Sequence, residues 1–144
     1  FGVFATIFGG FIGGYCSYKI GTMKCLFFGA LIAALSNLLF AWLAVSPISI
    51  NFLIAVITAD NISSGFAGAA FVIYLSGLTS IKFTATQYAL FSSIMLFLPK
   101  LIAGYAGSWV DIMGYPYFFS LTALLGLPVL ILIIWISKVA PVKN

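Results

Sequence analysis

The sequence predicts an all-α integral membrane protein that crosses the bilayer several times. Three observations predict it. Of 144 residues, 64% are hydrophobic and 6% charged, with a mean hydropathy of +1.26. A water-facing domain of ordinary composition carries about a quarter charged residues, and six Lys and two Asp, without Arg, Glu or His, cannot coat a globule of this size. The apolar residues are grouped in runs close to the ~20 residues a helix needs to cross the hydrocarbon core. The third observation is the placement of Lys, which falls between these runs in a regular order.

Five spans are expected, at 1–18, 24–45, 50–79, 84–109 and 117–136. The first is short and opens on Phe1 within apolar sequence, so it is expected to lack its beginning; no basic start with a cleavage site marks a leader. Turn residues separate the spans: Gly21-Thr22, Ser46-Pro47, Ser80 to Phe83, and Gly114-Tyr115-Pro116. Thr84-Ala85-Thr86-Gln87 fits a capping box, with Thr84 closing free amides and Gln87 reaching back. Pro99 and Pro128 fall inside spans four and five, where each removes a backbone donor and is expected to kink its helix.

Lys19 and Lys24 flank the first connection, Lys82 lies in the third, and Lys138 and Lys143 lie in the tail. The second and fourth connections hold no Lys, and the fourth holds Asp111. Because Lys concentrates in cytosolic loops, the chain is expected to start outside and end in the cytosol. The same scatter of Lys forms no basic stripe, which argues against nucleic acid as a partner. Cys16 and Cys25 fall near the cytosolic face, where they read as small apolar filler and not as a disulfide.

Small residues let membrane helices approach closely. Gly9 and Gly13, overlaid by Gly10 and Gly14, form ladders in span one. Ser64 with Gly68 and Gly65 with Ala69 repeat the device in span three, and Ala103 with Gly107 and Gly104 with Ser108 in span four. Span five, apolar from Leu124 to Ile136 except for the indole of Trp135, reads as a lipid-facing outer helix. Spans one, three and four are therefore expected inside, span five outside, and span two, with Ser36 and Asn37, between.

Two charged side chains fall deep within spans, Asp60 and Lys100. Each costs about 2.5–3.5 kcal/mol at a helix centre on insertion scales. Counted from the outer ends of their spans, both lie roughly 14 Å down at 1.5 Å per residue, level with each other. They are expected either to pair and hold two helices together, or to face a wet cavity that takes an anionic substrate or a proton. Asn61, Ser63 and Ser64 make span three polar where Asp60 lies; Tyr74 and Tyr105 add hydroxyls. Without His or Arg, a Ser-His-Asp triad, a histidine metal site and an arginine clamp have no members. Neither an enzyme nor a cofactor or metal is expected.

Two segments carry a family resemblance. Gly14-Tyr15-Cys16-Ser17-Tyr18-Lys19-Ile20-Gly21-Thr22-Met23-Lys24 resembles a degraded loop signature of major facilitator transporters, with Tyr18 at the usual acid position and Lys19, Gly21 and Lys24 retained. Gly65-Phe66-Ala67-Gly68-Ala69-Ala70-Phe71-Val72, then Phe83-Thr84-Ala85-Thr86-Gln87-Tyr88-Ala89-Leu90 and Gly114-Tyr115-Pro116-Tyr117-Phe118-Phe119, are similar to the AmpG-type muropeptide permeases.

The resemblance implies helices 8 to 12 of a twelve-helix major facilitator fold, whose missing N-terminal half is a required partner. It implies import of anhydro-muropeptides (GlcNAc-anhydroMurNAc with or without peptide) across a bacterial inner membrane, driven by protons, in cell-wall recycling and β-lactamase induction. Facilitator folds rock two halves about a midplane site. Related acetyl-coenzyme-A-type carriers, a small free-standing oligomeric membrane protein and a membrane signalling component stand as alternatives.

Overall fold

The computed structural model describes residues 1–79 and 84–139. The turn at 80–83, with Lys82, and the end of the tail, with Lys143, lie outside the described residues. Among the described residues six helices follow one another: α1 (Gly2–Ile20), α2 (Thr22–Val45), α3 (Ile50–Leu78), α4 (Thr84–Gly104), α5 (Ala106–Met113) and α6 (Tyr115–Val139). No strand occurs among the described residues. α2, α3, the run 84–113 and α6 are long and apolar enough to cross a membrane. α1 is not among them, because five glycines and Lys19 dilute its hydropathy. The chain is a multi-pass membrane protein.

The helix ends follow from local chemistry. Gly21 separates α1 from α2 by one residue at φ 93°, and Gly114 separates α5 from α6 at φ 79°. A side chain is strained at such angles and glycine is not. Ser49 caps α3, its hydroxyl accepting from Phe52 N at 3.4 Å. Pro99 and Pro128 sit inside continuous helix. The fourth expected span is interrupted at Tyr105, whose N–H reverts to a three-residue turn on the Ile102 carbonyl.

The packing order is α1 on α3, α3 on α2, and α2 on α6. α1 and α3 run parallel, Gly9 facing Ile62 and Gly13 facing Phe66. α2 runs against both its neighbours: Gly29 meets Ala67 of α3, and Ala34 meets Gly126 of α6. Lys19, Lys24 and Lys138 consequently gather at one end of the bundle. A small core of Cys25, Leu26, Phe66, Ala70 and Ile133 closes near that end.

Glycine decides where the helices touch. A Cβ at Gly9 would collide with the Ile62 carbonyl, and one at Gly65 with the Thr6 carbonyl. A Cβ at Gly13 would lie 2.5 Å from the Phe66 carbonyl oxygen, and one at Gly126 2.6 Å from Ala34 Cβ. The second α1 ladder does not pack this way: a Cβ at Gly10 would meet only the Gly65 carbonyl oxygen, at 3.8 Å, and one at Gly14 nothing within 4 Å, as at Gly68, Gly104 and Gly107. Positions 10 and 14 lie about 100° round the helix from 9 and 13, so only one of the two ladders can face α3.

The expected ranking of inner and outer spans is corrected on two counts. α4 has no buried residue and touches α3 lightly. α6, expected outermost, buries Ala123, Leu130 and Ile133 and stacks Phe119 on Phe40 of α2 at 5.2 Å. Polarity ranked the helices, but close approach at the Ala34–Gly126 pair seats α6.

Candidate functional site

Asp60 stands ten residues beyond the start of α3, about 15 Å along it at 1.5 Å per residue. Ser36 stands nine residues before the end of α2, about 14 Å along it, and antiparallel packing brings the two level. The Ser36 hydroxyl, 3% exposed, lies 3.0 Å from Asp60 Oδ1 and 2.8 Å from the Ala33 carbonyl, so its one proton serves either acceptor. One residue on, Asn61 turns to the other side. Thr6 Oγ1 of α1 donates to Asn61 Oδ1 at 3.0 Å, and Asn61 Nδ2 donates to the Ile57 carbonyl at 2.7 Å. α3 thus joins α2 through Asp60 and α1 through Asn61, in a polar belt at mid-depth.

Two further polar side chains extend the belt toward α6. Asn37 and Thr122 line a cleft of about 290 Å³ between α2 and α6, with Ala33 and Gly126. Asn37 donates to the Ala33 carbonyl at 3.2 Å and Thr122 to the Phe119 carbonyl at 2.9 Å. The Asn37 amide N–H and the Thr122 hydroxyl thus find acceptors within the protein, as the absence of water in the bilayer core demands. Asp60, half-buried, is the one formal charge in the belt.

Lys100 is not its partner. Among the described residues no ion pair joins them, because α4 stands off from α3 and leaves Lys100 exposed. Lys100 lines an open cleft of about 440 Å³ with Ser93, Ile94, Leu96 and Phe97. Of the two arrangements expected from the sequence, the ion pair is not formed among the described residues, and Asp60 meets the Ser36 hydroxyl instead.

Other candidates are distributed as follows. Ser63 is buried and donates to the Ala59 carbonyl at 2.7 Å; Ser64 faces outward. Tyr74 lies fourteen residues beyond Asp60, about 21 Å along the helix, and packs with Phe71 against the core. Tyr105 is 67% exposed at the helix break. Lys19 lies 5.8 Å over the Tyr15 ring, and Gly21 forms the tight turn before Lys24. Thr84 is the first residue of α4, with Gln87 in its first turn. Among the described residues no group of three or more His, Cys, Asp or Glu side chains is placed to hold a metal.

The sequence reading named Ser36 only as a polar residue of span two and did not name Thr6. A signal for Ser36 existed. The depth count that placed Lys100 level with Asp60 places Ser36 there as well, on the helix joined to α3 by the four residues 46–49. Thr6 gave none, since its depth follows only from the docking of α1.

Comparison with known proteins adds to this geometry. The chain is 36% identical over 138 residues, 96% of its length, to transporter AmpG 4 of Rickettsia felis. It is 35% identical over 137 residues to AmpG 4 of Rickettsia conorii, and 33% identical over 132 residues to AmpG 3 of Rickettsia typhi. The chain is a sequence relative of the AmpG-type transporters. It spans about one third of the length of the curated relatives it matches (33% of the Rickettsia felis protein). No family model matches the chain, and no solved structure does. Kinship with AmpG-type proteins accords with the segments that carried the resemblance.

Proposed function

We propose that this chain is part of a transporter that imports anhydro-muropeptides, with Asp60 as the group that takes up and releases the coupling proton. The observation that carries the proposal is one carboxylate held at mid-depth by a neighbouring hydroxyl, with no cation beside it among the described residues. An ionisable group at that depth is costly and is retained where it serves a pathway. Ser36 donates to the ionised carboxylate, and turning its proton to Ala33 leaves Asp60 free to become protonated. Exchange between these arrangements needs no large motion.

Lys100, on the separate face of α4, supplies positive charge toward the carboxylates of a sugar-peptide. The rest of the cavity comes from sequence of the kind the relatives carry beyond the matched third. The end that gathers Lys19, Lys24 and Lys138 lies in the cytosol, as the positive-inside rule directs, in a bacterial inner membrane. The test is uptake of labelled GlcNAc-anhydroMurNAc-peptide into cells lacking their own permease, with the chain carried in a full-length transporter. Asp60→Asn abolishes uptake while insertion is unchanged. Wild-type uptake by Asp60→Asn would remove the carboxylate from the mechanism, and no uptake of this substrate by the parent would remove the muropeptide.

A further inference from the structure

At the Lys-bearing end, α2 and α6 part to leave a cleft of about 310 Å³, walled by Met23, Phe27 and Phe28 of α2 and by Ile133 and Ile134 of α6. Lys24 completes the lining. Ser137 also borders it, but its hydroxyl is turned to the Ile134 carbonyl at 2.7 Å. The walls are apolar and face outward, with Phe28 46% and Ile134 44% exposed. Lys24 is the third residue of α2 and Ser137 the third from the end of α6, so both mark the mouth, at the level of the membrane surface. Among the described residues Lys24 makes no ion pair, and Lys138 stands beside the mouth without an acidic neighbour in sequence.

An apolar slot opening sideways toward lipid, with cationic side chains at its surface end and, among the described residues, no anion to neutralise them, is complementary to one kind of molecule. It fits a chain that belongs in the hydrocarbon joined to a head group that is negative. We infer that this cleft binds an anionic glycerophospholipid, one acyl chain lying between α2 and α6 and the phosphate meeting Lys24. A neutral or zwitterionic lipid fills the slot equally well but gains less from the Lys residues. A soluble anion gains from Lys24 but not from the aromatic walls. The site lies at the opposite end of α2 from Ser46 and well away from Asp60, so it holds whether or not the chain moves a solute.

The chain is purified in detergent and titrated with phosphatidylglycerol and, separately, phosphatidylcholine, and bound lipid is read by native mass spectrometry. Phosphatidylglycerol is retained in preference. Lys24→Gln reduces that preference about fivefold, the effect of one Lys near an anionic surface. Lys19→Gln, further along the same end, reduces it less. Ile134→Trp, which fills the slot and keeps every Lys, lowers retention of both lipids. Circular dichroism establishes that each variant keeps its helicity. Equal retention of the two lipids, or equal losses from Lys24→Gln and Lys19→Gln, overturns the site in favour of diffuse surface charge. A photoreactive benzoylphenylalanine at position 134, in cell membranes, forms a lipid adduct; an adduct to protein instead means that another polypeptide segment covers the cleft, and it overturns the proposal too.

Discussion

Replacing Gly13 with alanine tests the α1–α3 contact most directly, because its neighbour Gly14 supplies an internal control. A Cβ at position 13 would lie 2.5 Å from the Phe66 carbonyl oxygen and 2.9 Å from Phe66 Cα, backbone atoms that cannot swing aside. It falls about 0.9 Å short of the 3.4 Å at which ordinary contact begins. α1 must therefore lift from α3 by nearly that distance. A gap of 0.5–1 Å forfeits about a quarter to a half of each dispersion well across the interface, and overpacking of this kind costs about 1–3 kcal/mol. At position 14 a Cβ meets nothing within 4 Å. Both substitutions gain the same ~1 kcal/mol of helix propensity, so the difference between them isolates the packing. Cys25, fully buried and donating to the Gly13 carbonyl at 3.3 Å, reports the separation. In a Cys16→Ser background it is the sole thiol, and a thiol-reactive dye followed on heating records its exposure. Gly13→Ala melts several degrees below Gly14→Ala, at about 2–4 °C per kcal/mol. Equal midpoints, or a more stable Gly13→Ala, would refute the close approach of α1 and α3.

Ser36→Ala leaves the Asp60 carboxylate without its hydroxyl donor and lowers the same melting midpoint by an amount equivalent to about 1–3 kcal/mol; an unchanged midpoint would show that the bond holds nothing. Gly21→Ala places a side chain at φ 93° and ψ 145° between α1 and α2 and costs about 1–3 kcal/mol, read as a lower midpoint, whereas alanine at Gly68, which faces open space, does not lower it.

The topology of the helices was legible where one strong physical effect acts on one residue at a time. Lys avoids the hydrocarbon, so its order along the chain marks alternate ends, and the structure gathers Lys19, Lys24 and Lys138 together. The cost of a charge in lipid singled out Asp60 regardless of what surrounds it. Gly21 and Gly114 marked turns because of their neighbours in sequence, and both take positive φ. Small-residue spacing located the device that joins α1 to α3 without saying which face of each helix uses it. Gly9 with Gly13 and Gly10 with Gly14 are the same motif one residue apart, and only rotation about the α1 axis separates buried from open.

What the sequence by itself determined, then, is membrane residence, the helices with their alternating directions, and the depth of the polar side chains in α2 and α3, since these depend on transfer from water to lipid and on rise per residue. The tertiary structure alone decided partners. Depth leaves the azimuth of a helix and its choice of neighbour undetermined, so Asp60 and Lys100 could share a level and still never meet. Close contacts, of Gly65 against the Thr6 backbone and of Gly126 against the Ala34 methyl, set those two quantities. They turn Asp60 toward Ser36 and Asn61 toward Thr6, while Lys100 stays apart on α4, which buries no residue.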